Sequence, residues 1–243
     1  MWLQDIRKYE YVFGVLRTAF IMAAMSYVFY GSFRTFPLFI PVGLLSLREW
    51  AADLAKKKEQ EFRGQFKDGI QALATVLKAG YSVENAIREA GRDLAPVYGK
   101  DARIRREFDR MVHQMSMNMT AAAVLEEFAL RTGQEDVEDF VNVFTAAGKS
   151  GGDSIAIIRN AVKTISEKVD TEKEIQTMLA SQKLEFHIMC AVPFVIILYM
   201  KMTFGDFLDI LYGNPAGAAV MTVCLGIYLG AYRLGRNIIC IEI

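Results

Sequence analysis

The sequence predicts an all-α protein: a six-helix cytoplasmic bundle, built as three helical hairpins, set between two transmembrane helical hairpins. Three observations predict it. Apolar residues concentrate at the two ends of the 243-residue chain, the charged middle repeats its apolar residues at helical spacing, and three similar elbows punctuate that middle. The composition is 53% hydrophobic with a formal net charge of zero, so the apolar excess has to be localised. Residues Arg48 to Glu185 hold 21 of the 28 Lys and Arg and 23 of the 28 Asp and Glu, which marks them as the water-soluble part. The expected domains are 1–50, an N-terminal membrane hairpin; 51–185, the helical domain with a long exit helix; and 186–243, a C-terminal membrane hairpin with a short tail.

Taken in order, Tyr11 to Tyr30 is the first candidate span, since a bilayer core of roughly 30 Å needs about 20 apolar residues as helix. Arg17 lies close enough to its inner end to snorkel. Gly31 to Leu47 follows; it is short, contains Pro37 and Pro41, and either crosses fully or enters as a tilted or re-entrant segment. His187 to Phe204 and Ala216 to Gly235 make the closing hairpin, with Lys201 near an end of the former. Basic residues flank one side of these spans: Arg7 and Lys8, Arg48 and Lys56 to Lys58, Lys183, Arg233 and Arg236. The hairpin turns carry Arg34 on one side and Asp206 and Asp209 on the other, so both termini and the central domain are expected in the cytoplasm. The Lys56 to Lys58 run suits anionic lipid at that surface. A cleavable signal peptide is not expected, because Arg17 interrupts the apolar run and a second one follows.

Within the middle, apolar residues recur three and four apart. "FKDGIQALATVLKAG" aligns Phe66, Ile70, Leu73 and Leu77; "SVENAIREAGRDL" aligns Val83, Ile87, Ala90 and Leu94. Ile104, Phe108, Met111 and Met115 form a third stripe, and Val137, Phe140, Val141 and Phe144 a fourth. Such stripes bury against one another as a bundle. The elbows are "GYSVENAIREA", "NMTAAAVLEEF" and "GGDSIAIIRNA". Each opens on Gly80, Asn118 or the Gly151–Gly152 pair, residues that tolerate the left-handed conformation ending a helix. Ser82, Thr120 or Asp153 then caps the next helix. An apolar pair follows at one offset: Ala86 and Ile87, Val124 and Leu125, Ile157 and Ile158.

The stretch "VFTAAGKSGGDS" contains Gly-Lys-Ser and raises the question of a phosphate loop. That loop requires a glycine where Val143 stands and a strand before it, so that consecutive amides wrap the phosphates. Neither is present in the pattern, and the stretch reads as a helix stop. "MVHQMSMNM" offers thioethers and His113 to a soft metal, but alternating positions on a helix do not converge on one ion; Met111 and Met115 read as core. No cofactor, no metal and no catalytic group is expected. Three cysteines, Cys190, Cys224 and Cys240, form no disulfide framework or CxxC pair. Without a basic stripe interleaved with aromatics, no nucleic acid is expected either.

Two features invite a functional reading. Glu135, Asp136, Glu138 and Asp139 crowd the start of one helix; they complement its dipole and also form a possible partner-docking patch. Pro193 lies inside a span, where it removes a backbone bond and kinks the helix, at the end of a long run that links the soluble region to the membrane.

The Gly80 elbow, the later "SGGDS" turn, and a long helix running into "AVPFVIILYM" resemble the domain shared by platform proteins of type II secretion and type IV pilus machines. The closing "LGRNIICIEI" is similar to the tail of TadB-like platform proteins of the tight-adherence (Flp) pilus. The resemblance covers most of the chain from Phe62 onward. It implies a non-enzymatic, multi-pass protein of the bacterial inner membrane. Its implied partners are a hexameric secretion ATPase docking from the cytoplasm, pilin subunits, membrane lipid, and a second platform protein, TadC-like or another copy of itself. Relatives usually carry an acidic residue before the second turn, where this chain has Gly148 and Lys149. A small-solute transporter or channel with a large cytoplasmic domain is the alternative from a different class.

Overall fold

The computed structural model describes residues 8–30, 40–149, 154–204 and 214–239. The described residues form helices joined by short turns, without a strand: α1 (Lys8–Tyr30), α2 (Ile40–Lys78), α3 (Val83–Leu94), α4 (Arg103–Ser116), α5 (Ala121–Thr132), α6 (Glu135–Lys149), α7 (Ser154–Thr203) and α8 (Pro215–Ile239). They fall into two units, a central one of Lys56–Lys173 and a terminal one of Leu3–Ala55 with Glu174–Ile243.

Six helical segments build the central unit, the second half of α2, then α3 to α6, then the first part of α7. Its core follows the stripes of the sequence. Phe62, Phe66, Ile70, Leu73 and Leu77 line one side of α2 at 1–4% exposure, and Ala86, Ile87, Ala90 and Leu94 line α3. Phe66 is the hub: its ring lies 6.4 Å from Phe62, 6.1 Å from Phe128 and 6.0 Å from Phe140. Aromatic groupings of this kind add to what burial alone contributes. A void of about 10 Å³ beside Phe66 and Met111 is lined by apolar side chains and is too small for a substrate.

The joints explain the direction of each helix. Gly80 (φ 89°) and Asn118 (φ 63°) sit in the left-handed region, and Ser82 and Thr120 each cap the next helix, Oγ accepting from Asn85 N at 3.4 Å and Oγ1 from Ala123 N at 3.3 Å. Gly133 (φ 56°) makes a further left-handed joint between α5 and α6, its amide bonded to the Ala129 carbonyl. Gln65 on α2 accepts from Ile104 N at the start of α4, while Glu59 accepts from Gln134 just before α6. Helices α4 and α6 therefore run in the direction of α2, which brings the Gly80 and Asn118 elbows and the end of α6 to one end of the unit. The third elbow, Gly151, Gly152 and Asp153, lies outside the described residues.

In the terminal unit the core is small: Met25, Val28 and Phe29 of α1 with Met221 and Leu225 of α8. Phe194 of α7 joins it, edge-on to Phe29 at 5.8 Å and to Tyr228 at 5.3 Å. Glycines mark the close approaches, since a Cβ at Gly14 would fall on the Trp50 ring, one at Gly43 on Met22 and one at Gly235 on Phe186. Small residues at crossings are how helices approach in lipid, where apolar burial gives no driving force between them. Among the described residues, three helices are long and apolar enough to cross a membrane: Tyr9–Tyr30, the span within Ile155–Thr203, and Ala216–Ile238. The second apolar segment of the sequence is not among them. Its first part, residues 31–39 with Pro37, lies outside the described residues, and from Ile40 the chain is already in the 39-residue helix α2.

Candidate functional site

The charged side chains of the central unit are ordered by the same helical period as the core. Along α2, Glu59, Arg63, Lys67 and Gln71 stand four residues apart on a face adjacent to the phenylalanines, so they emerge as one polar row. Opposite them α7 runs antiparallel. Gln71 donates to Ser166 Oγ at 3.0 Å, Lys67 to Asp170 at 2.5 Å, and Arg63 to Glu172 at 2.8 Å. Arg63 also donates to Asp136 of α6 at 2.7 Å, and Lys168 of α7 reaches the other Asp136 oxygen at 2.8 Å. Three helices thus meet at one carboxylate.

Asp136 is 3% exposed, and both of its oxygens are taken by cations. Burial works to depress the Arg63 pKa, but its bonds to Asp136 and Glu172 outweigh this and leave it raised. The bond to Asp136 likewise raises Lys168 above its ordinary value against a smaller burial effect. Both cations therefore stay charged at any physiological pH. The node is a fixed ion cluster and not a proton-transfer pair.

This placement corrects one expectation. Of the four acidic residues assigned to a docking patch, Asp136 points inward and is consumed by Arg63 and Lys168, because the position two along from Gly133's successor Gln134 falls on the inner side of α6. Glu135, Glu138 and Asp139 remain on the surface, with Glu135 3.9 Å from Lys168. On α7 the apolar pair divides: Ile158 is buried, whereas Ile157 is 42% exposed. On α7 the inward register is Ile158, Val162, Ile165 and Val169, which leaves room for one residue of the pair.

A second ionic group joins α4 to α5. Arg131 donates to Glu107 and Glu127, both at 3.1 Å, and Glu107 is 6% exposed. On the far side of α2, Tyr98 donates to Asp68 at 2.5 Å, and burial followed by that bond raises the phenol well above its usual range. The Gly-Lys-Ser stretch is helical through Lys149, with Gly148 in the last turn of α6, so Val143 to Lys149 has helix geometry and not that of an amide cradle. Pro193 lies inside α7. Nothing in any one helix announced the Arg63–Asp136–Lys168 node. Its only trace in the sequence is the i, i+4 polar row on α2, which reads equally as a solvated face.

The family model for type II secretion system (T2SS), protein F matches residues 70–201, more than half of the chain. The chain belongs to that family. The protein F match begins within α2, takes in the Gly80 and Asn118 elbows and α6, and runs along α7 past Pro193 into the apolar segment. No curated protein and no solved structure matches the chain. Membership of the protein F family, together with helices able to cross a membrane, fits a membrane platform protein of secretion or pilus systems, a kind that works with secretion ATPases and other platform proteins.

Proposed function

We propose that the protein is an integral inner-membrane platform protein of a Flp-type, type IV-like pilus machine. It couples the cycle of a cytoplasmic hexameric secretion ATPase to the insertion or extraction of pilin subunits and catalyses no reaction of its own. The observation that carries this reading is the continuity of the family match from the elbow-folded central unit into the apolar segment of α7. One helix thereby belongs both to a water-soluble bundle and to a membrane span, the minimum a mechanical relay requires. The "LGRNIICIEI" ending supports the Flp assignment, and the basic flanks of the spans support a cytoplasmic location for both termini and the central unit. A TadC-like platform protein or a second copy of this chain completes the platform.

The test is genetic and biochemical together. Deleting the gene abolishes surface pili and re-expressing it restores them, while the purified chain in liposomes hydrolyses no ATP and moves no solute. Piliation unaffected by the deletion would remove the pilus role. Hydrolysis abolished by Lys149→Ala would make the protein an NTPase, and solute flux would make it a transporter.

A further inference from the structure

The six segments of the central unit are not held alike. Close backbone approaches occur between α3 and α4, α4 and α5, and α5 and α6, whereas neither α2 nor α7 makes one of comparable extent, so these two are held through their side chains. The aromatic cluster closes without α7: Phe62, Phe66, Phe128, Phe140 and Phe144 come from α2, α5 and α6. What α7 contributes is a row of four aliphatic residues, Ile158, Val162, Ile165 and Val169, each 5–8% exposed, against 0–4% for the inward rows of α2, α3 and α4. Beside that row α7 is tied by a polar seam: Ser166 to Gln71, Asp170 to Lys67, Glu172 to Arg63 and Lys168 to Asp136. Bonds of this kind exchange readily for water and are weakened by salt where they are exposed, as at Asp170, whose side chain is 58% exposed. Buried rings have no such alternative partner.

We infer that the first part of α7 is a detachable strut: it comes away from α2 and α6 and, once stripped of its packing, frays, while α2 to α6 stay packed. The polar seam sets the threshold for that release. Breaking it leaves Asp136 still paired with Arg63 on α2, so the five-segment remainder keeps its buried carboxylate neutralised and does not follow α7 open. The division of Asp136 between two cations on different helices is what makes the separation possible without an orphaned charge. The strut stands on packing alone and does not depend on the pilus role proposed above.

Hydrogen–deuterium exchange on the full chain in detergent micelles tests it, because amide protection reports the free energy of local opening. At 0.1 M NaCl, amides of 158–170 exchange at least about tenfold faster than those of 62–77, and 1 M NaCl widens the gap. Asp170→Asn and Gln71→Ala, both on the outer side of the seam, accelerate 158–170 by a further several-fold, on the order of what losing one exposed pair allows, and leave 62–77 and 121–147 unchanged. Exchange of 158–170 in step with 62–77 would show one cooperative unit and overturn the strut. Faster exchange that ignores both salt and the two variants would overturn the seam as its latch.

Discussion

The central and terminal units are built from the same material, long amphipathic or apolar helices, yet they bury it differently. Among the described residues of the central unit, twenty-six form one core cluster. Among those of the terminal unit five do so, while Phe13, Phe20, Val195, Ile196, Tyr199 and Ile227 stand more than half exposed. Exposure on that scale is untenable in water and ordinary against hydrocarbon, where side chains face lipid and helices are matched by small residues and a few polar contacts. The contrast assigns a solvent to each unit: water drives the first together, and close packing with some polar contacts joins the second. Its few polar links follow the same rule, as when Arg236 of α8 pairs with Glu49 and Asp53 of α2, and Lys201 lies over the Tyr27 ring.

Substitutions can break that contrast. The largest effect is expected at the aromatic hub, where Phe66→Ala costs about 3–5 kcal/mol and lowers the denaturation midpoint of the central unit sharply. Val195→Ala in the terminal unit leaves the midpoint in micelles unchanged, and equal losses at both positions would erase the distinction. Next comes Asp136→Ala, which strands Arg63 and Lys168 at a partly buried site. A loss of about 3 kcal/mol is expected by chemical denaturation, against under about 0.5 kcal/mol for the exposed Glu138→Ala. A smaller effect sharpens the picture of the terminal unit. Gly14→Ala drives a methyl into Trp50 and costs about 1–3 kcal/mol, whereas Gly226→Ala, with open space at that position, is neutral by the same melt. Smallest is cap loss: Ser82→Ala and Thr120→Ala each cost about 1 kcal/mol in the central unit.

Much of this architecture is written locally. The inward rows Phe66, Ile70, Leu73, Leu77 and Ile87, Ala90, Leu94 fall at helical spacing and are buried as that spacing demands. Gly80 and Asn118 take the left-handed conformation because a glycine has no Cβ and an asparagine tolerates the strain. The Gly133 joint has a weaker signal, a glycine between a helix with Arg131 in its last turn and one opening on acidic residues, without the cap spacing of the other elbows. Less legible were the unbroken passage of α2 from Ile40 to Lys78, across the change from apolar to charged residues, and the division of Ile157 and Ile158 between surface and core. Proline is tolerated in a helix's first turn, so Pro41 starts α2 and does not end it.

By itself the sequence determined what repeats within a few residues: helix, inward face, elbow, and the apolar lengths at either end. Such signals survive without a partner because backbone geometry alone imposes the period. Only the tertiary structure decided that Arg63 would find Asp136 and Glu172, 73 and 109 residues away, and that Asp136 would be sealed inside while Glu138 stayed in water. A charge on one helix has no preferred mate until packing fixes which helix faces it. Coulomb attraction selects among the neighbours that burial of the apolar rows has already chosen.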